Sequence, residues 1–185
     1  SFFSTAIYNN FASPRIERVN AVASGGTNSS IGVMNNESSS PSMTKVLATA
    51  SGATFNYGVF NIESSSPIMT NINASASGGT KSFGILNSIF SDPVMTYVTA
   101  SASGGVTNYG VYLASNSSPN MKNVTATGSG GTDGFGMYIE SNFPYSPFIQ
   151  NSVLEGSTVG LFIDLNSTDA RVVNSKIIGG VNDQP

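Results

Sequence analysis

The sequence predicts an all-β solenoid: one chain wound into about seven coils of about 26 residues, with equivalent strands of successive coils stacked in parallel. Three observations carry this. Glycines recur at Gly32, Gly58, Gly84, Gly110 and Gly136, and prolines at Pro41, Pro67, Pro93 and Pro119, both every 26 residues. Between these anchors apolar and polar residues alternate, and Gly, Ser, Asn and Thr interrupt every copy, which suits strands and opposes helices. A fixed period of this length is the mark of a repeat architecture, in which one coil cannot bury its own apolar face and needs neighbours.

Each coil opens at a proline. Two residues after it comes Met or Ile (Ile16, Met43, Met69, Met95, Met121, Ile149), and at the fifth position Val or Ile (Val19, Val46, Ile72, Val98, Val124). Alanines follow at the seventh (Ala48, Ala74, Ala100) and ninth (Ala50, Ala76, Ala102), until Gly128 breaks the second set. Polar residues separate them, so this is a half-buried strand with an apolar inner face. The small Ala columns are expected to let the opposite wall come close. A second strand surrounds each glycine, with "SGGT"-type turns before it and "SSSP" after it. The residue before the glycine (Ile31, Tyr57, Phe83, Tyr109, Phe135) and the one after it (Val33, Val59, Ile85, Val111, Met137) are expected to point inside, the aromatic column supplying bulk. Stacking at ~4.8 Å then sets identical side chains on one another as ladders.

The motif "SSPxMTNVTATxSGG…YGVY" resembles the repeats of right-handed parallel β-helix proteins, the pectate-lyase-like superfold, of a non-catalytic repeat type. The likeness covers nearly the whole chain and weakens after about Ser141. Residues 1–140 read as regular coils and 141–185 as irregular C-terminal coils of the same single domain. The right hand follows from the resemblance and the crossover rule for parallel strands. The family it implies includes polysaccharide lyases and hydrolases, adhesins and phage tail-fibre modules.

Composition narrows the function classes. Of the 185 residues seven are Lys or Arg and ten Asp or Glu, giving a net charge of -3. Scattered cations of that number do not make a nucleic-acid surface. There is no His and no Cys, so zinc sites of thiolate or imidazole type, Cys nucleophiles, Ser-His-Asp triads and disulfides are excluded. No apolar run reaches the length of a membrane-spanning helix. The chain opens on Ser1, and it is expected to be a mature form or a segment of a larger secreted or cell-surface protein, its solenoid ends capped by parent domains, a partner or self-association.

Carboxylates supply few candidates for chemistry. Glu37 and Glu63 fall one period apart and are expected to stack at one corner, with Asn116 and then Ser141 or Asn142 filling it further on. Asp164 and Asp169 flank "LNST" and are weak candidates for a shared Ca²⁺. Both pairs read more simply as solvated turn residues, and no basic residue has an evident acidic partner on the same strand face. No catalytic set of the kind glycoside hydrolysis uses emerges.

The outward columns are more informative. Two residues after each glycine come Met34, Phe60, Leu86, Tyr112 and Tyr138, which strict alternation places outside as an apolar and aromatic stripe; a bulge would reverse the sides and make the column core. The stripe is the expected contact for a glycan or a protein surface, Tyr112 and Tyr138 suiting sugar rings. The outer residues Asn73, Ser75, Thr99, Ser101, Thr125 and Thr127 form a neutral grid that resembles the flat face of β-helical ice-binding proteins, although Val22 and Leu47 break it. Six N-x-[ST] sequons, at Asn28, Asn36, Asn73, Asn116, Asn123 and Asn166, are expected from so Ser-, Thr- and Asn-rich a composition. The expected function is a non-enzymatic spacer and binding module that stacks into filaments or joins parent domains; a carbohydrate-active enzyme and an ice binder are the alternatives.

Overall fold

A computed structural model describes residues 1–140, 146–164 and 169–183. Within them the chain is a parallel β-solenoid with no helix. One sheet holds eight strands, from Phe3–Asn10 through Ser29–Asn36, Phe55–Asn61, Lys81–Asn87, Thr107–Leu113, Asp133–Ile139 and Val159–Ile163 to Val181–Asp183. It carries the repeat glycines and is called the glycine sheet below. The other holds the post-proline strands, among them Ile68–Ser77, Val94–Ser103 and Asn120–Ser129, and is called the methionine sheet. Register is 26 residues in the glycine sheet as far as Asp133–Ile139 and in the methionine sheet from Ser42–Thr44 to Asn120–Ser129, and 27 between the first two coils of the methionine sheet, where Ile16 pairs with Met43. Met69 pairs with Met95 and Met95 with Met121, while Tyr57 pairs with Phe83 and Phe83 with Tyr109.

The proline is placed where a missing N–H costs nothing. Pro41, Pro67 and Pro93 stand just before their strands, and their carbonyls accept from the N–H groups of Ile68, Val94 and Asn120 on the next coil. The serines before it close the corner. The buried hydroxyls of Ser65, Ser91 and Ser117 each accept from the backbone N–H of Ser39, Ser65 and Ser91 on the coil before, at 3.1, 3.1 and 3.2 Å. At the opposite corner Asn56 and Asn108 tie the Gly turn together: Asn56 accepts from Ala53 N–H and donates to the carbonyls of Ala53 and Gly78.

Both sheets slip parity once per coil. In the methionine sheet the slip lies at a residue with positive φ: Lys45, Asn71, Tyr97 and Asn123, each near 54°. That left-handed residue turns the strand through a corner, so Met69 and Ile72, three apart, both face inward. Asn takes this conformation readily; Lys45 and Tyr97 pay for it, and their side chains lie in solvent. In the glycine sheet the slip lies at the repeat glycine, where the pairing skips a residue. A Cβ on Gly58 would lie 2.7 Å from Ser75 N and 2.6 Å from Gly84 O, both backbone atoms. This is the close approach of the walls that the Ala columns permit, and Ala74 and Ala100 are fully buried against it. Gly58 and Val59 therefore both face inward, and Tyr57 and Phe60 both face outward.

The expectation for the column before the glycine is thus corrected. Tyr57, Phe83, Tyr109 and Phe135 lie outside the tube, because the glycine shifts the alternation by one. The interior bulk comes instead from Met43, Met69, Met95, Met121, Val59, Ile85, Val111 and Met137, all with essentially no exposure. It also contains a polar spine. Asn9, Asn35, Asn61 and Asn87 stack in register, the Nδ2 of the first three each donating to the Oδ1 of the next coil at 2.8, 2.7 and 2.8 Å. Leu113 and Ile139 continue the column. Asn87 Nδ2, which faces Leu113 in that sequence of rungs, is buried with no hydrogen-bond partner.

Candidate functional site

Outside the tube, along the glycine sheet, two columns of side chains form a ridge parallel to the solenoid axis. The first is Tyr57, Phe83, Tyr109 and Phe135, with ring centroids 5.0, 5.0 and 5.3 Å apart and planes within 11°. The second is Phe60, Leu86, Tyr112, Tyr138 and Phe162; Tyr112 and Tyr138 stack at 5.1 Å, and Tyr138 and Phe162 at 4.6 Å. Across the columns the rings meet edge to face, at 76° for Tyr109 and Tyr112 and 85° for Phe135 and Tyr138. Stacking along each column and T-shaped contact between columns make a herringbone, both geometries that the ring quadrupole favours.

The structure places the sequence-predicted stripe residues Met34, Phe60, Leu86, Tyr112 and Tyr138 on this ridge, but not as an exposed stripe. Leu86 is only 9 % exposed and the other four are half-buried. The cause is the parity slip: the aromatic column assigned to the interior stands beside the stripe and covers it. Sequence reasoning missed that second column. The signal was available in the three-residue step between Tyr57 and Phe60, the same step that separates Met69 from Ile72 on the other sheet.

The phenols of the ridge are held in a demanding environment. Burial pushes the Tyr112 hydroxyl well above its ordinary range, helped by the neighbouring Glu140 carboxylate. Tyr109 is raised to about 12, first by burial and then by Asp133 and Glu140. Tyr138 is raised to about 12 by burial and by Asp164, whose Oδ2 lies 3.5 Å from its hydroxyl. These native states hold the phenol proton more tightly than an unfolded chain with a pKa of 10.0 does. Their stabilising contribution is therefore complete below pH 10 and is lost as pH rises through about 12. Absorbance at 295 nm should show these tyrosines ionising only as the fold is lost; ionisation of every tyrosine near pH 10 with native circular dichroism would contradict it.

The acidic candidates do not converge. Glu37 and Glu63 do stack at one corner, each with positive φ, but Ile89 and Ser115 continue that column; Asn116 belongs to the neighbouring one with Ser38, Ser64 and Phe90. The expected place of Asn116 was off by one residue. Ser141 and Asn142 lie outside the described residues, as does the sequon at Asn166. Asp164 directly follows the strand Val159–Ile163, beside Tyr138, and the segment that would join it to Asp169 also lies outside the described residues. Among the described residues no three acidic side chains gather where they could hold a metal ion.

The neutral grid lies on the outer surface of the methionine sheet as expected. Asn73, Thr99 and Thr125 are in register there, as are Ser75, Ser101 and Thr127. Val22 and Leu47 interrupt it with exposed apolar side chains. Compared with known proteins, the chain matches no family model, no curated protein and no solved structure.

Proposed function

We propose that the chain is a structural, non-enzymatic β-solenoid segment of a secreted or cell-surface protein, of the pectate-lyase-like kind, and that its aromatic ridge is the face by which it packs on an apolar protein surface. The observation that carries this reading is the ridge itself. A herringbone of rings outside the tube contributes nothing to the interior, yet it is kept in register from Tyr57 to Phe162. The half-exposed ring edges of Tyr57, Phe60, Tyr112, Phe135 and Tyr138 give this strip apolar surface of the kind that a protein interface uses. A protein surface suits it better than a glycan, because ring faces along each column are covered by the neighbouring ring, and a sugar stacks on a free face. Within the solenoid, the serine and asparagine ladders repeat without building a reactive cluster, which fits a rod with a contact face.

A polysaccharide panel tests both parts. No release of product from pectate, alginate or xylan is expected, and turnover of any of them would overturn the structural reading. On a glycan array the wild-type chain should give no specific signal. Saturable binding lost in both Tyr112→Ala and Tyr138→Ala would make the ridge a sugar site instead.

A further inference from the structure

The herringbone stops before the first coils, and what replaces it has the form of a small-molecule site. Register continues the first column from Tyr57 to Ile31 and then Thr5, and the second from Phe60 to Met34 and then Tyr8. On every coil from Tyr57 to Phe135 the first column holds a ring; Ile31 is narrower than a ring and Thr5 fills almost none of that space. A hollow of ≈ 540 Å³ opens there, within the usual range for ligand pockets. Its floor is Thr5 and Ile31. Met34 and Tyr8 form one wall, and Phe3 and Ser29 the other.

Tyr57 and Phe60 close the far end. They are stacked within 12° at 4.9 Å, unlike the edge-to-face pairs elsewhere across the ridge. No charged side chain lines the hollow. Its polar groups are neutral hydroxyls, and that of Tyr8 is already engaged with Asn10 and Asn36. Thr5, Tyr8 and Phe3 are exposed, so the mouth is open.

We propose that this hollow binds a neutral, flat aromatic ligand of about two fused rings, which continues the ring column where Ile31 and Thr5 interrupt it. The ladder gives the template: rings at about 5 Å from one another, walled on the side by the second column. This site does not depend on the ridge's proposed contact role, since Tyr112 and Tyr138 lie on later coils.

The test uses the full chain and 6-propionyl-2-(dimethylamino)naphthalene, a neutral two-ring dye whose emission shifts blue on leaving water. Saturable binding with one dye per chain is expected. It should be displaced by 2-naphthol and not by cyclohexanol at the same concentration. The double variant Thr5→Phe, Ile31→Phe supplies the missing rings from the protein and should weaken dye binding about tenfold or more, the loss of roughly one ring's contact. Thr5→Arg, a change at an exposed position, should also block the hollow and serves if the double variant does not fold. Tyr138→Ala should leave dye binding unchanged. Absence of saturable binding, equal displacement by cyclohexanol, unchanged affinity in Thr5→Arg, or loss in Tyr138→Ala would each overturn the proposal.

Discussion

Asn61→Leu is expected to destabilise the protein by about 3 kcal/mol, whereas Asn87→Leu changes stability by no more than about 1 kcal/mol. Leucine itself fits the position, because Leu113 occupies the same column two coils after Asn61. The difference lies in the neighbours. Removing Asn61 takes away two buried hydrogen bonds, the 2.7 Å bond from Asn35 Nδ2 and the 2.8 Å bond to Asn87 Oδ1. The Asn35 Nδ2 donor keeps only a 3.8 Å contact to Met43 Sδ, while its Oδ1 still accepts from Asn9, and Asn87 is left with neither its donor nor its acceptor engaged. A buried amide without partners costs its full desolvation. Removing Asn87 instead eliminates the orphaned donor of this ladder and transfers that condition to Asn61, so the number of orphaned donors along the ladder does not rise. Urea unfolding of both variants checks this. Equal destabilisation would show that the amides act as separate groups and not as a ladder.

Gly84→Ala is expected to cost about 3 kcal/mol, lowering the midpoint of thermal unfolding by roughly 6–12 °C for a chain of this size. The new Cβ would lie 2.6 Å from Gly110 O and 2.6 Å from Ser101 N. Both are backbone atoms of neighbouring strands, so no side chain can swing away, and the two sheets must part. Gly25→Ala is the control. Its φ of 76° makes alanine costly by about 1–2 kcal/mol, but nothing lies within 4 Å of the added carbon. Hydrogen exchange separates the two: Gly84→Ala should speed exchange on the strands at Ser101 and Gly110, and Gly25→Ala only at its own turn. A Gly84→Ala protein as stable as wild type would mean that the walls are not in contact there.

The solenoid was legible in the sequence because ladders demand repetition: Met on Met, Ala on Ala and Gly on Gly leave the period in plain view. What was misread is the side on which one column lies. Strict alternation is a rule for straight strands, and each strand here turns a corner. After the prolines the three-residue step from Met69 to Ile72 was read correctly, since both residues are apolar and had to be inside. Around the glycine the residues Tyr57, Val59 and Phe60 are all apolar, so hydrophobicity could not choose between sides. Only the backbone contact at Gly58 decides it. The asparagine spine escaped for the converse reason. Asn35, Asn61 and Asn87 look like solvated residues one at a time, and become interior material only when each meets its copy on the next coil.

That spine divides the rod. Up to Asn87 the column that follows the ridge strand is a run of linked amides; from Leu113 onward it is hydrocarbon, through Ile139. Apolar burial weakens on cooling, while hydrogen bonds between buried amides do not share that dependence. The two halves of one repeat protein, nearly identical coil by coil, should thus respond differently to cold. The later coils loosen first as temperature falls, and the boundary between them sits at a single rung.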